Sequence, residues 1–562
     1  MTRRLAAAAV LALVVAAPGI ARAGGRAQAV EARHGMVVTS QHIASAVGAG
    51  ILAAGGNAID AAVAVGYALA VVEPCCGNIG GGGFMTLHLA DGRESFIDFR
   101  ETAPAAARAD MYLDAAGHPI AELSRYGWRA IGVPGTVLGL DRALAEYGGL
   151  PRAAVMAPAI ALARYGFALS PGDARLLAQK SALFAKDHAA ARIFLRPRGD
   201  ALAAGDQLVQ PDLAATLALI AKAGPDAFYH GPVAAAVSAA SRQHGGLLTK
   251  EDFAAYRVTE GPPLSCSYRG YQVVSAPPPS SGGATICEIL NILEGCNMKA
   301  LGFRSPRSVE LMVAAMRRAY DDRNTDLGDP AFVANPLDRL LSKGYAAGVR
   351  AAIEAGATAP TSLPRAPREQ AETTSYSVVD GAGNAVAVTY TINGYFGAAV
   401  MAPGTGFFLN NEMDDFTAKP GVPNLYGLVQ GAANAIAPGK RPLSSMAPTL
   451  VEKDGKVVLV LGSPGGSRII TTVLETIMNM IDYGMGPQQA VDAPRLHYQG
   501  LPNRVFYERS GLSPATITAL ERLGFDLAAQ HPWGATELIA ISNGRLLGAN
   551  DDRRPDGAAV GY

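Results

Sequence analysis

Residues 355–372, AGATAPTSLPRAPREQAE, run directly into Thr373-Thr374-Ser375-Tyr376-Ser377-Val378-Val379-Asp380. The first stretch has no hydrophobic periodicity and gathers Pro and charge, which marks a flexible linker. The second is β-branched and aromatic and reads as a strand. It pairs with Ala385 to Thr391 across the turn Asp380-Gly381-Ala382-Gly383-Asn384. A linker joined without a cap to a strand is a place where a chain can be cut, leaving the strand's first residue with a free amine. That residue is Thr373. A threonine hydroxyl is a weak nucleophile until a base removes its proton. An α-amine on the same residue, with an ordinary pKa of about 7.7–8.0, can be that base near neutral pH. Taken alone, Thr-Thr at a strand start is ordinary β-propensity.

On the C-terminal side of the junction more hairpins are expected. Thr449 to Glu452 pairs with Lys456 to Leu461 around Asp454-Gly455, and Glu537 to Ile541 with Arg545 to Ala549 around Asn543-Gly544. Ser467 to Asp482 carries helical spacing. On the N-terminal side, residues 42 to 72 read as two helices split by Gly55-Gly56-Asn57, with Asp60 in the second one's first turn. A hairpin, Phe84 to Leu89 and Ser95 to Phe99, turns at Asp91-Gly92. Pro134 to Val349 is Ala/Leu-rich with repeated Gly and Pro stops and reads as a mostly helical layer. Hairpins and helices in layers predict an α+β sandwich.

The chain has 562 residues, 49% hydrophobic and 17% charged, with 64 glycines, enough material for a large core and many tight turns. Its formal net charge is zero, so it carries no electrostatic footprint for nucleic acid or an anionic membrane. Residues 1–23 read as a secretory signal: Arg3 and Arg4, the apolar run Leu5 to Ala17, and Ala21-Arg22-Ala23 as the cleavage site. No later run is long and apolar enough to span a bilayer, and no Asn-x-Ser/Thr acceptor occurs, so a periplasmic or secreted bacterial protein is expected. Cys75, Cys76, Cys266, Cys287 and Cys296 lack metal-ligand spacing and read as buried small hydrophobes, with a Cys287–Cys296 bridge open. Histidines are few and scattered, so neither metal nor cofactor is expected.

Gly462-Ser463-Pro464-Gly465-Gly466-Ser467-Arg468 follows a strand and opens a helix. Its backbone N–H groups can hold an oxyanion, or it is simply a tight turn. Asn78-Ile79-Gly80-Gly81-Gly82-Gly83 leads into a strand, where close approach to another backbone is the expected reason for the glycines.

Six stretches, in order, resemble the γ-glutamyltranspeptidases, members of the N-terminal nucleophile hydrolases. They are Gly77 to Met85, Ile97 to Pro104, Thr373 to Asp380, Asn410 to Phe416, Arg441 to Thr449 and the Gly462–Arg468 turn. The likeness runs from about residue 35 to Tyr562. It implies a four-layer αββα sandwich with two antiparallel sheets between helical layers. It also implies cleavage at Glu372–Thr373 into a large subunit (24–372) and a small one (373–562) that stay together as a heterodimer. Thr373 would form an ester with the γ-carbonyl of glutathione or another γ-glutamyl compound, and water or an amino-acid or dipeptide acceptor would take the glutamyl group. Thr391 would tune the Thr373 hydroxyl, and Gly465 and Gly466 would hold the oxyanion. Arg100, with Ser444 and Ser445, would take the α-carboxylate; Asn393, Glu412 and Asp415 would take the α-ammonium. Tyr426 would sit on a lid, Pro420 to Val429. Ser375 stands where the family usually has His, and Glu412 where bacterial relatives often have Gln. A cephalosporin (glutaryl) acylase of the same fold, or an unprocessed γ-glutamyl-binding protein, would use many of the same residues.

Overall fold

The computed structural model describes residues 28–356 and 373–562. Residues 357–372 of the linker, Glu372 included, and the N-terminal signal therefore lie outside the described residues.

Two seven-stranded sheets, antiparallel throughout, form the centre. In the first, strands follow the order Ala558–Gly561, Gly35–Thr39, Thr374–Asp380, Ala385–Thr391, Gly82–His88, Glu94–Asp98 and Thr259–Gly261. In the second the order is Val30–Ala32, Arg545–Asn550, Glu537–Ser542, Lys456–Leu461, Thr449–Lys453, Tyr271–Ser275 and Leu264–Tyr268.

The period-two alternation of the strands sorts side chains between faces. Met36, Val38, Val379, Ala385 and Ala387 of the first sheet meet Val274, Leu450, Val460 and Ile539 of the second in one apolar layer. The opposite face of the first sheet, with Val37, Val378, Val386 and Val388, packs against helices His42–Ala53, Ala58–Val72 and Thr136–Tyr147. The second sheet's outer face, with Val273, Val451, Leu459 and Leu538, packs against helices Gly282–Glu294, Pro306–Asp326 and Arg468–Ile481. The fold is an αββα sandwich, as expected. Segments before and after the linker contribute strands to both sheets. The hairpin that Thr373 opens lies between Gly35–Thr39 and Gly82–His88. Among the described residues no helix is long and apolar enough to cross a membrane.

The expected elements are present. Helix Ala58–Val72 begins with a capping box in which Asn57 and Asp60 bond each other's backbone N–H groups. The glycines before strand Gly82–His88 are there for close approach: a Cβ on Gly81 would overlap the Thr391 carbonyl oxygen, and one on Gly80 the Phe408 carbonyl oxygen. The middle of the chain is mostly helical, as expected, but Leu264–Tyr268 and Tyr271–Ser275 form an unforeseen edge hairpin of the second sheet, turning at Arg269-Gly270 with both residues at positive φ. The alternation in Leu264-Ser265-Cys266-Ser267-Tyr268, buried at every other residue, is the signal that the Ala/Leu-rich surroundings masked.

The cysteines also differ. Cys266 faces the helix that carries Cys287, at a Cα separation of 5.9 Å, and the two are bonded; Cys296 is free. Cys75 and Cys76 are bonded to each other. Their carbonyls accept from Phe396 N (2.7 Å) and Ile392 N (3.0 Å), so this buried turn frames the loop after Thr391.

Candidate active site

Thr373 is buried at the mouth of the central hairpin, its hydroxyl donating to Thr391 Oγ1 at 3.4 Å. Thr391 Oγ1 also accepts from Asn393 N (2.8 Å), which ties the start of one strand to the end of its partner. Thr374 is held by Glu73, whose carboxylate accepts from Thr374 Oγ1 (2.9 Å) and Ser40 Oγ (2.7 Å). Ser375 points away from the pocket, its hydroxyl bonding Val388 O at 3.1 Å, and a Cβ on Gly462 would overlap its oxygen. That position belongs to the packing between the sheets.

One pocket collects Thr373, Thr391, Asn393, Arg100, Glu412, Asp415, Ser444, Ser445, Tyr426 and Gly466. Gly465 precedes Gly466 in the turn, at φ 138° and 55° respectively, conformations that admit glycine readily. No backbone carbonyl among the described residues accepts from either N–H. The helix from Arg468 starts immediately after, so its dipole adds positive potential at the same place.

Tyr426 is buried rather than a surface ring. Its hydroxyl donates to Asn393 Oδ1 at 2.6 Å, and its ring lies where a Cβ on Gly466 would be. The segment that carries it is pinned by Gln499 Nε2 on its carbonyl (3.1 Å).

The charged residues pair with one another. The guanidinium of Arg100, buried completely, donates to Glu412 and to Asp415 (2.5 Å), and to Pro442 O (3.2 Å) through Nε. Glu101 Oε2 stands 3.6 Å away. Three acids around one guanidinium cannot all ionise cheaply in a buried space. Burial, opposed by Arg100, pushes Glu412 well above the usual carboxylate range. Burial likewise pushes Glu101 up to about 8.

Glu101 has a consequence for stability. Its folded pKa of about 8 exceeds the ordinary 4.5, so the fold holds the protonated form and stability falls as pH climbs between those values. Glu101→Gln is expected to raise the melting temperature at pH 8 and leave it nearly unchanged at pH 4.5, which a pH series of thermal scans checks.

Two groups escaped the sequence reading: Arg323, which lines the pocket, and Glu101, which stands beside Arg100 behind it. Glu101 sits inside a motif already singled out, yet nothing distinguishes it there from its exposed counterparts. Arg323 lies on helix Pro306–Asp326 among exposed or half-buried arginines of the same charge-rich run, and only the packing turns it inward.

An αββα sandwich whose central hairpin opens at Thr373, beside a glycine turn that leads into a helix, has the architecture of the class of N-terminal nucleophile hydrolases. A sequence model of the Gamma-glutamyltranspeptidase family matches residues 44–562. The chain is 55% identical over 548 residues to the glutathione hydrolase proenzyme of Pseudomonas sp. (strain A14), covering 95% of each chain. It is 49% identical to that of Escherichia coli (strain K12), covering 95% of this chain and 93% of the relative. Among solved structures, a cephalosporin acylase from Bacillus halodurans superimposes with a TM-score of 0.85 at 30% identity, covering 97% of this chain and 99% of that one. This chain belongs to the γ-glutamyltranspeptidase family.

Proposed function

We propose that the protein is a glutathione hydrolase and γ-glutamyltransferase that creates its own nucleophile by cleaving itself at Glu372–Thr373. The observation that carries this reading is the pocket itself: the hydroxyl of Thr373 shares it with groups that fit both charged ends of an α-amino acid.

In processing, Thr373 Oγ attacks the Glu372 carbonyl carbon, the peptide C–N bond breaks, and the freed nitrogen takes the proton. Water then opens the ester, leaving Glu372 as a carboxylate and Thr373 with both hydroxyl and amine. In turnover that amine takes the hydroxyl proton as Oγ attacks the γ-carbonyl of the donor. The N–H groups of Gly465 and Gly466 receive the developing oxyanion, where loss of one such donor costs about 10²–10³ in rate. The amine proton goes to the leaving amine, and water or an acceptor amine resolves the ester.

Binding exchanges charge partners. The incoming ammonium takes its place beside Glu412, Asp415 and Asn393, which loosens their hold on Arg100 and turns its fork to the α-carboxylate with Ser444 and Ser445. The cost of separating the existing pairs is offset because both ends of the ligand replace what they displace. Tyr426 closes the site through Asn393. Tyr426→Phe keeps the ring and deletes one hydrogen bond, so KM for a γ-glutamyl anilide is expected to rise about 2- to 10-fold.

The acylase alternative is tested by comparing turnover of γ-glutamyl and glutaryl anilides. A glutaryl group lacks the ammonium and would leave the Glu412–Asp415 end without a cation, so a preference for glutaryl would sink the transferase reading. A pure binding protein would keep the Glu372–Thr373 bond intact.

The two subunits remain together because each supplies strands to both sheets. Export through residues 1–23 is in keeping with two disulfides, which persist in oxidising compartments.

A further inference from the structure

Arg323 is 1% exposed and lines the substrate pocket. Its Nε donates to Ser281 Oγ (2.9 Å), Nη1 to Asn324 Oδ1 (2.7 Å) and Gln430 Oε1 (3.0 Å), and Nη2 to Ser445 Oγ (3.1 Å). All four acceptors are neutral, and among the described residues no carboxylate lies within ion-pair distance of it. Four bonds use four of its five N–H groups, and the fifth is on Nη2, the nitrogen beside Ser445. Arg100 is the opposite case, a guanidinium surrounded by Glu412, Asp415 and Glu101. Arg323 is therefore the guanidinium of this pocket that no carboxylate contacts, Asp415 acting on it only from beyond ion-pair distance.

The direction of the hydrogen bonds adds to this. A guanidinium only donates, so Ser445 Oγ must accept from Arg323, and the Ser445 proton is left to donate elsewhere. Ser281 accepts from Arg323 and donates to Ser444 O at 2.6 Å, so the same guanidinium holds both serines. Gln430 accepts from Arg323 and donates to Asp415 O at 3.0 Å, which extends the network to the ammonium end. Burial pushes the Arg323 guanidinium down to about 10, so it remains charged at neutral pH.

We infer that Arg323 determines specificity for donors carrying an α-carboxylate, by supplying a positive charge that no carboxylate contacts at that end of the pocket and by aiming the Ser445 hydroxyl proton at the ligand. The inference rests on the functional reading above, and the substrates separate the two. A γ-glutamyl anilide carries both charged groups, a 4-aminobutanoyl anilide lacks the α-carboxylate, and a glutaryl anilide lacks the ammonium.

Arg323→Met is expected to lower kcat/KM for the γ-glutamyl anilide about 10- to 100-fold, as loss of a charge-assisted contact does. Turnover of the 4-aminobutanoyl anilide should fall by less than about threefold, so the preference between the two collapses. Equal losses on both would show Arg323 to be merely structural and overturn the inference. Processing is followed on a denaturing gel. If Arg323→Met fails to process, Arg323→Lys is compared instead, keeping the charge without the fork; an intermediate loss of preference supports the inference and an unchanged preference overturns it. If the wild-type protein itself prefers the glutaryl anilide, the transferase reading fails. Arg323 is then still tested, because glutaryl keeps the carboxylate and its turnover should fall in the variant.

Discussion

Thr373→Ala is expected to yield one uncleaved polypeptide beside a wild type that splits in two, and to lower turnover of a γ-glutamyl anilide by on the order of 10⁴-fold or more. Both effects share one cause. The variant has no hydroxyl to attack Glu372, so no amine is released, and no hydroxyl to receive the glutamyl group if an amine were supplied. Mass spectrometry of the purified proteins reads the first effect directly, since the wild type should show a new N-terminus at Thr373. Thr373→Ser keeps an attacking oxygen and should process, which separates loss of chemistry from loss of fold. The surroundings favour a clean result: the neighbouring contacts of Thr374 with Glu73 and of Asn393 N with Thr391 do not involve the Thr373 hydroxyl. Cleavage and turnover surviving in the alanine variant would end the account.

The second large effect is expected from Arg100→Met. The guanidinium is buried with Glu412 and Asp415 on its fork and Glu101 beside it. Removing one partner of a buried ion pair leaves the others uncompensated, at a cost of about 3–5 kcal/mol. A lowered urea midpoint, with KM for the γ-glutamyl anilide raised further than in Arg323→Met, is the predicted outcome. The double variant Arg100→Met, Glu412→Gln should recover part of the stability and none of the KM. Recovery of neither would mean that the fork and Glu412 do not act on one another.

The pairing of Arg100 with the acids also bears on how the site chooses a ligand. A molecule offering only an ammonium or only a carboxylate displaces one half of the pair and leaves the other half buried without a partner. A zwitterion replaces both. Rejection of half-ligands is therefore expected to come from the desolvation of groups already in the pocket rather than from steric exclusion.

Much of this was legible in the residues. The change of texture at Thr373, the hairpin turns at Asp454-Gly455 and Asn543-Gly544, and the break between two helices at Gly55-Gly56-Asn57 are local matters, decided by φ preference and alternation within a few residues. Five of the six motifs place residues in the pocket, each a short, chemically distinctive stretch, while Gly77 to Met85 packs its glycines against neighbouring backbone. The edge hairpin Leu264–Tyr268 and Tyr271–Ser275 was not legible in its Ala/Leu-rich setting, since an edge strand draws its stability from one neighbour and from the face it covers. The bond between Cys266 and Cys287 depends on a strand meeting a helix 21 residues away, which spacing alone does not specify.

By itself the sequence named the residue expected to become a chain end, a glycine turn expected to hold an oxyanion, and charged groups expected to meet a zwitterion. Tertiary structure alone decided that Arg100 is already paired with acids while Arg323, on a helix far along the chain, contacts none. The reason is physical: the ionisation and pairing of a charged group depend on burial and on neighbours brought from distant segments, and neither quantity exists until the two sheets and their helices have closed over it.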